Sequence, residues 1–175
     1  MRVFIALLFS EKEKKLIFKE LKSLAINFKG NYVKYDNLHL TMYYIGEIDS
    51  CLLKNVITGI KTIDFPKFNY KTLELDCFKN KKNQCLLHLK IKNNAFLYKL
   101  RNIIISVLND AGININKHKF TPHITLGRKV KIKQEDLKNI NNIPLKFNAN
   151  KISIMESKRI NGELVYHELD FHLLK

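Results

Sequence analysis

Apolar positions along the chain fall into short continuous or alternating runs separated by helical stripes. Residues 2–9 are almost continuously apolar, the pattern of a strand buried on both faces. Ser10 stands before Glu11 and Glu13, which predicts a capped helix start. Leu16, Ile17, Leu21, Leu24 and Phe28 then recur at helical spacing until Gly30. A strand is expected over 38–45, closed by Gly46, and a second helix runs from Asp49 or Ser50 to about Ile60. Two strand-like runs, 71–78 and 84–91, flank Lys79-Asn80-Lys81-Lys82-Asn83, which reads as a hairpin loop. A longer helix is expected over 94–111, with Leu97, Leu100, Ile104 and Leu108 on its apolar face and Gly112 as its stop. The remainder predicts a strand over 120–130 entered through Pro122, a short helix over 134–140, a strand over 146–157, and a last strand over 164–173. Asn161-Gly162 lies between the final two, a hairpin signal because both residue types tolerate positive φ.

This order predicts an α+β fold with mostly antiparallel sheet and helices outside. Each half runs strand, helix, strand, helix, and the second strand of each carries a His-x-Thr tripeptide: His39-Leu40-Thr41 and His123-Ile124-Thr125. No Pro/Gly/Ser-rich linker separates the halves. The expectation is therefore a single bilobal domain over 1–175, with pseudo-duplicated halves packed as one unit.

Successive strand residues point to opposite faces. His39 and Thr41 thus share a face, with Leu38, Leu40 and Met42 beneath, and Tyr43 falls on the His39 side. His123 and Thr125 share a face over Ile124 and Leu126. If the two strands lie side by side, two imidazoles and two hydroxyls converge on one cleft. That set suits phosphodiester chemistry: one neutral imidazole takes a proton, the other, protonated, gives one, and the hydroxyls bind non-bridging oxygens. Arg128 follows His123 by five positions, at the end of the same strand.

Charge adds a partner class. The net charge is +15 and the sequence pI about 9.7, which points to a polyanion such as nucleic acid. Most of that excess is lysine, which AT-rich coding composition explains equally well. The only arginines are Arg2, Arg101, Arg128 and Arg159, and a rare guanidinium is the more informative cation where a phosphate must be gripped. Hydrophobic content of 46% with 27% charged residues excludes a disordered chain. The apolar opening is too short to span a membrane and lacks a cleavage site. The three cysteines, Cys51, Cys77 and Cys85, form no CxxC pair, so buried free thiols in a cytoplasmic protein are expected, although Cys77 and Cys85 can face one another across a hairpin.

The chain resembles the 2H phosphoesterase superfamily, specifically the LigT/ThpR group of RNA 2′,3′-cyclic phosphodiesterases, historically called 2′-5′ RNA ligases. The resemblance is carried by Arg2-Val3-Phe4-Ile5-Ala6-Leu7, by Asn37-Leu38-His39-Leu40-Thr41 leading to Ile45-Gly46-Glu47, by Phe120-Thr121-Pro122-His123-Ile124-Thr125-Leu126-Gly127-Arg128, and by Glu156-Ser157 followed by Gly162 and Tyr166. It implies two similar lobes flanking a central basic cleft. It also implies hydrolysis of RNA 2′,3′-cyclic phosphate ends to 2′-phosphomonoesters, with weak reversible 2′-5′ ligation and no metal or other cofactor. His39 and His123 become the catalytic acid–base pair, the first as donor and the second as base. Thr41, Thr125 and Arg128 become phosphate binders, and Phe4 and Tyr166 fall at cleft positions where base stacking competes with core packing. Many relatives carry a basic or small residue where this chain has Tyr43, which here either stacks on a base or narrows the cleft. The segment 62–94 matches only in pattern.

The implied partner is an RNA or oligonucleotide bearing a 2′,3′-cyclic phosphate or a 2′-5′ linkage, met by a monomer in the cytoplasm, away from membranes. Two other readings stay open on the residues alone: a phosphodiesterase for small cyclic nucleotides or 2′-5′ oligoadenylates, and a non-catalytic RNA- or nucleotide-binding module. Among the other histidines, His88-Leu89-Lys90 reads as a half-exposed strand position. His118 reads as part of a basic loop, and His167 and His172 as decoration of the last strand. Neither tripeptide has a second histidine or a carboxylate at ligand spacing, so a metal site is not expected.

Overall fold

The computed structural model describes residues 1–79, 84–116, 119–140 and 144–175. The expected 79–83 hairpin tip therefore lies, beyond Lys79, outside the described residues, as does His118. The strands are β1 (Arg2–Leu8), β2 (Asn31–Tyr32), β3 (His39–Glu47), β4 (Phe68–Lys79), β5 (Cys85–Ile91), β6 (His123–Val130), β7 (Lys146–Ala149), β8 (Lys151–Ile160) and β9 (Glu163–Leu173). The helices are α1 (Glu11–Asn27), α2 (Ser50–Lys61), α3 (Ala95–Asp110) and the short α4 (Gln134–Asn139).

All strand pairings are antiparallel, and they run β7-β4-β5-β6-β3-β1-β8-β9, with β2 beside β6. Along that order four strands stand on each side of the β6–β3 junction, with β2 a fifth on the β6 side, and each tripeptide opens the innermost strand of its side. Two helix starts follow the capping chemistry read in the sequence, at Ser10 and Asp49, and Asn94, expected as the first residue of its helix, is a third cap. Ser10 and Glu13 form a reciprocal capping box, Asp49 accepts from the Leu52 amide, and Asn94 accepts from the Phe96 and Leu97 amides. The apolar stripes of α1 (Ile17, Leu21, Leu24), α2 (Val56, Ile60) and α3 (Leu97, Leu100, Ile104, Leu108) bury into one core with Leu38, Leu40, Met42, Leu87, Leu89, Ile124 and Leu126. Asn161 and Gly162 both take positive φ, 50° and 82°, in the hairpin between β8 and β9.

Three expectations change. The run 146–157 is two strands, not one: β7 pairs with β4 and β8 with β1, so the chain crosses between halves at Asn150. The buried apolar positions change phase at that point, from Phe147 and Ala149 to Ile152 and Ile154, because the chain enters a second strand with a new partner. A short β2 and a 3-10 turn at Tyr35–Asn37 occupy a stretch too polar and brief to show periodicity. The cysteines also differ: Cys77 and Cys85 are bonded across the β4–β5 hairpin with Cα atoms 5.6 Å apart, and Cys51 is exposed.

Gly30 turns the chain into β2 against β6. A Cβ there would lie 2.7 Å from Val130 Cγ2 and 2.9 Å from Val130 Cα, a backbone atom that cannot rotate away. Gly30→Ala is expected to destabilise the fold by ~1–3 kcal/mol. Thermal melting checks this, and an unchanged midpoint would contradict it.

Candidate active site

β3 and β6 are joined by one register pair, Leu40 with Ile124, the central residues of the two tripeptides. Both are 0% exposed, so the pair forms a dry floor. Antiparallel counting from it sets His39 across from Thr125 and Thr41 across from His123. Histidine and hydroxyl alternate around the junction, and all four side chains line one cavity of about 710 Å³ with Arg128, Phe4 and Tyr166.

His39 is held from three sides. Its Nδ1 donates to the Asn37 carbonyl at 2.7 Å, which leaves Nε2 unprotonated in the neutral ring to accept from the Thr41 hydroxyl at 2.9 Å. Phe4 and Tyr166 pack against the imidazole with ring centroids 5.0 and 5.1 Å away, and against each other at 4.9 Å. Phe4 is buried and forms a wall for His39. Tyr166 is half-buried; burial pushes its phenol up, and the neighbouring Arg128 charge opposes that. Asn37 ties this arrangement to β9: its side chain donates to the Leu164 carbonyl at 2.8 Å and accepts from the Tyr166 amide at 3.2 Å. The sequence reading gave Asn37 no role of its own. Its signal, an asparagine two residues before a strand histidine, acquires meaning only once β9 lies beside it.

His123 repeats the anchoring, with Nδ1 donating to the Thr121 carbonyl at 2.7 Å. So does His88, whose Nδ1 donates to the Leu86 carbonyl at 3.1 Å. The expectation of a half-exposed His88 is overturned: it is 0% exposed. Register explains why. His88 pairs with Thr125, Leu89 with Ile124 and Lys90 with His123, so His88-Leu89-Lys90 lies alongside the second tripeptide as a third row of the same surface. Phe78 from β4 stacks over His88 at 4.0 Å and meets the edge of His123 at 5.2 Å, closing His88 from solvent. The His88 and His123 rings are 5.1 Å apart.

Tyr43 departs from the expected face. The β1–β3 pairing shifts there, with Ile5 opposite Tyr43 and Ala6 opposite Thr41, so Met42 is an extra residue and the alternation reverses. Tyr43 is 7% exposed, and its hydroxyl accepts from the Asn116 amide at 3.1 Å. Tyr44, 56% exposed, takes the cavity-facing place that alternation assigns to Tyr43.

Burial is the largest influence on all three imidazoles and disfavours their charged forms. It pushes His39 and His88 down to about 4 and lowers His123, against the opposing pull of each backbone carbonyl. Positive charge on Arg128 and His123 adds to the effect at His39. Burial therefore favours neutral imidazoles, and with each Nδ1 donating to a backbone carbonyl, Nε2 is the acceptor nitrogen of each ring. Among the described residues no group of three or more His, Cys, Asp or Glu side chains is placed to hold a metal ion, and no helix is long and apolar enough to cross a membrane.

Comparison with known proteins places this geometry in context. A family model described as the 2′-5′ RNA ligase superfamily matches residues 13–161. An RNA 2′,3′-cyclic phosphodiesterase of Thermotoga maritima is 30% identical over 131 residues, 73% of this chain and 70% of the relative. One of Archaeoglobus fulgidus is 25% identical over 140 residues, 80% of this chain and 78% of the relative. The crystal structure of E. coli LigT complexed with 3′-AMP superposes with a TM-score of 0.80 over 99% of this chain and 97% of that one, at 22% identity, and shares the fold.

Proposed function

The chain belongs to the 2′-5′ RNA ligase superfamily, and from that premise we propose that it opens the 2′,3′-cyclic phosphate at an RNA end to a 2′-phosphomonoester. The observation that carries this reading is the Leu40–Ile124 pair, which interleaves two histidines and two threonines on one floor. Relatives named RNA 2′,3′-cyclic phosphodiesterase support the substrate class.

In this reading His123 is the base. Its Nδ1 is committed to Thr121, so Nε2 takes the proton of the attacking water as oxygen bonds to phosphorus. The P–O3′ bond breaks, and the proton for O3′ comes from His39, leaving the phosphate on O2′. Burial favours neutral His39, and the negative charge of an entering phosphate raises the affinity of a neighbouring imidazole for a proton. Thr41 then releases Nε2 and turns its hydroxyl to a phosphate oxygen, as does Thr125. Arg128, which lines the same cavity as Tyr166, supplies a planar pair of donors where charge develops. One chain provides both tripeptides, so a monomer is the working unit.

Turnover of an oligonucleotide ending in a 2′,3′-cyclic phosphate, followed in excess chelator, tests the reading. Within it, Arg128→Ala is expected to lower kcat/KM about tenfold to a hundredfold, the effect of losing a charge-assisted contact. Arg128→Lys recovers only part, because an ammonium lacks the planar fork. Steady-state kinetics that leave Arg128→Ala at wild-type efficiency would remove Arg128 from the site.

A further inference from the structure

Each imidazole of the paired tripeptides is braced by two rings from its own side of the sheet. Phe4 and Tyr166 brace His39, with centroids 5.0 and 5.1 Å away. Phe78 and His88 brace His123, at 5.2 and 5.1 Å. A phenylalanine would fill the place of His88 with no polar atom to bury. His88 is fully buried, and its Nδ1 is committed to the Leu86 carbonyl, so Nε2 carries a lone pair. Among the described residues, Nε2 of His88 is the one buried imidazole nitrogen without a hydrogen-bond partner. An orphaned buried acceptor carries its full desolvation penalty, which the packing alone does not require. The pairing of β5 with β6 puts His88 opposite Thr125 and diagonal to His123, on the face that carries both tripeptides, while Leu87 and Leu89 are buried in the core. Its Nδ1–H turns back to its own strand, so the negative end of the ring dipole lies at Nε2, within the layer of rings that Phe78 closes. The charged and titratable groups around the His88–His123 pair are Asp76 on β4, Lys90 on β5 with its partner Glu74, Arg128 on β6 and His39 on β3.

Building on the reading of His123 as the base, we infer that His88 is a positioning residue for the reaction: it fixes the His123 ring and stabilises the positive charge that this ring gains from the attacking water. The water proton passes to His123 Nε2 as the water oxygen bonds to phosphorus. His88 neither gains nor gives a proton in that step, and burial keeps it neutral throughout. A fixed dipole in a buried layer stabilises a charge that develops beside it without having to reorganise. A base whose charged form is stabilised in this way holds its proton more tightly. The contribution of His88 belongs to the proton transfer and not to phosphate binding, which falls to Thr41, Thr125 and Arg128. Lys90 and Arg128 oppose charge on the pair and Asp76 favours it, so a change confined to His88 leaves that background in place.

NMR titration of the imidazoles, joined to steady-state kinetics on a 2′,3′-cyclic mononucleotide, tests this role. In the wild type, ¹⁵N shifts should show His88 as the Nδ1–H tautomer, unprotonated at Nε2 while His123 titrates. His88→Phe keeps a ring in place and removes the lone pair. It should lower the His123 midpoint by about half a pH unit or more, and lower kcat about threefold to tenfold with KM within about twofold. The acid limb of the kcat/KM profile should move to lower pH with the midpoint. His88→Gln returns an acceptor oxygen and should recover part of both, whereas a ring that only fills space predicts that glutamine is worse than phenylalanine. A His88→Phe variant that keeps either the wild-type midpoint or the wild-type kcat would overturn the role. So would a His88→Gln variant worse than His88→Phe, or a wild-type His88 protonated at Nε2 near neutral pH. Absence of cyclic mononucleotide turnover in the wild type would instead overturn the proposed reaction, and the His123 midpoints would still decide whether His88 acts on that ring.

Discussion

Removing either imidazole, by His39→Ala or His123→Ala, should cost about 10³-fold or more in the rate of cyclic-phosphate opening. The chemistry is confined to two proton transfers at one phosphorus, so each histidine is needed at the same moment. The double variant should therefore be little worse than either single one, since residues that act as a unit are not additive. The fold should survive, because the floor beneath the rings is Leu40 and Ile124, which neither change touches. His39 needs one further control, as its ring also packs against Phe4 and Tyr166. His39→Asn keeps much of that packing and the neighbouring Thr41, yet should be as inactive as alanine. Substantial turnover in the double variant would sink the two-histidine mechanism.

Acid should destabilise the protein sharply over a window set by the same rings. His39 and His88 are pushed down to about 4 in the fold, and His123 is also lowered, whereas an unfolded histidine titrates near 6.5. Between these values the unfolded chain binds protons that the folded chain refuses, so stability is full above about pH 6.5 and falls as the pH drops toward 4. A buried ring that resists protonation across this whole window contributes on the order of 3 kcal/mol, at roughly 1.4 kcal/mol for each pH unit crossed. His88 is the cleanest case because it is fully buried beneath Phe78. Urea unfolding followed from pH 7 to 4 measures the slope. His88→Phe should flatten it, since an apolar ring of similar shape takes up no proton on unfolding. Equal slopes in wild type and variant would contradict the account of His88. Ligand binding should show the opposite linkage: phosphate entry at pH 6 draws a proton onto the site, detectable as binding heat that varies with buffer.

Much of this architecture was legible in the chain because local chemistry and tertiary structure agree there. Ser10, Asp49, Asn94 and the Asn161-Gly162 turn each do locally what their side chains or backbones favour. Strand alternation placed His39 with Thr41 and His123 with Thr125, and the structure lines one cavity with all four. What alternation could not carry was partner choice. The expected single strand over 146–157 conceals the crossing at Asn150, although the apolar positions change phase there, from 147 and 149 to 152 and 154. Alternation missed the bulge that exchanges Tyr43 for Tyr44, because one extra residue inverts the positions that follow until a second shift at Ile45 restores them. It also misjudged His88, whose burial depends on Phe78 arriving from another strand.

The most direct measurement is ³¹P NMR of an oligonucleotide ending in a 2′,3′-cyclic phosphate, incubated with the protein in excess chelator. The cyclic-phosphate signal should be replaced by that of a 2′-phosphomonoester alone, and His39→Asn and His123→Ala should leave it unchanged. A 3′-phosphomonoester product, or conversion that persists without the two imidazoles, would contradict an active site built from these paired tripeptides.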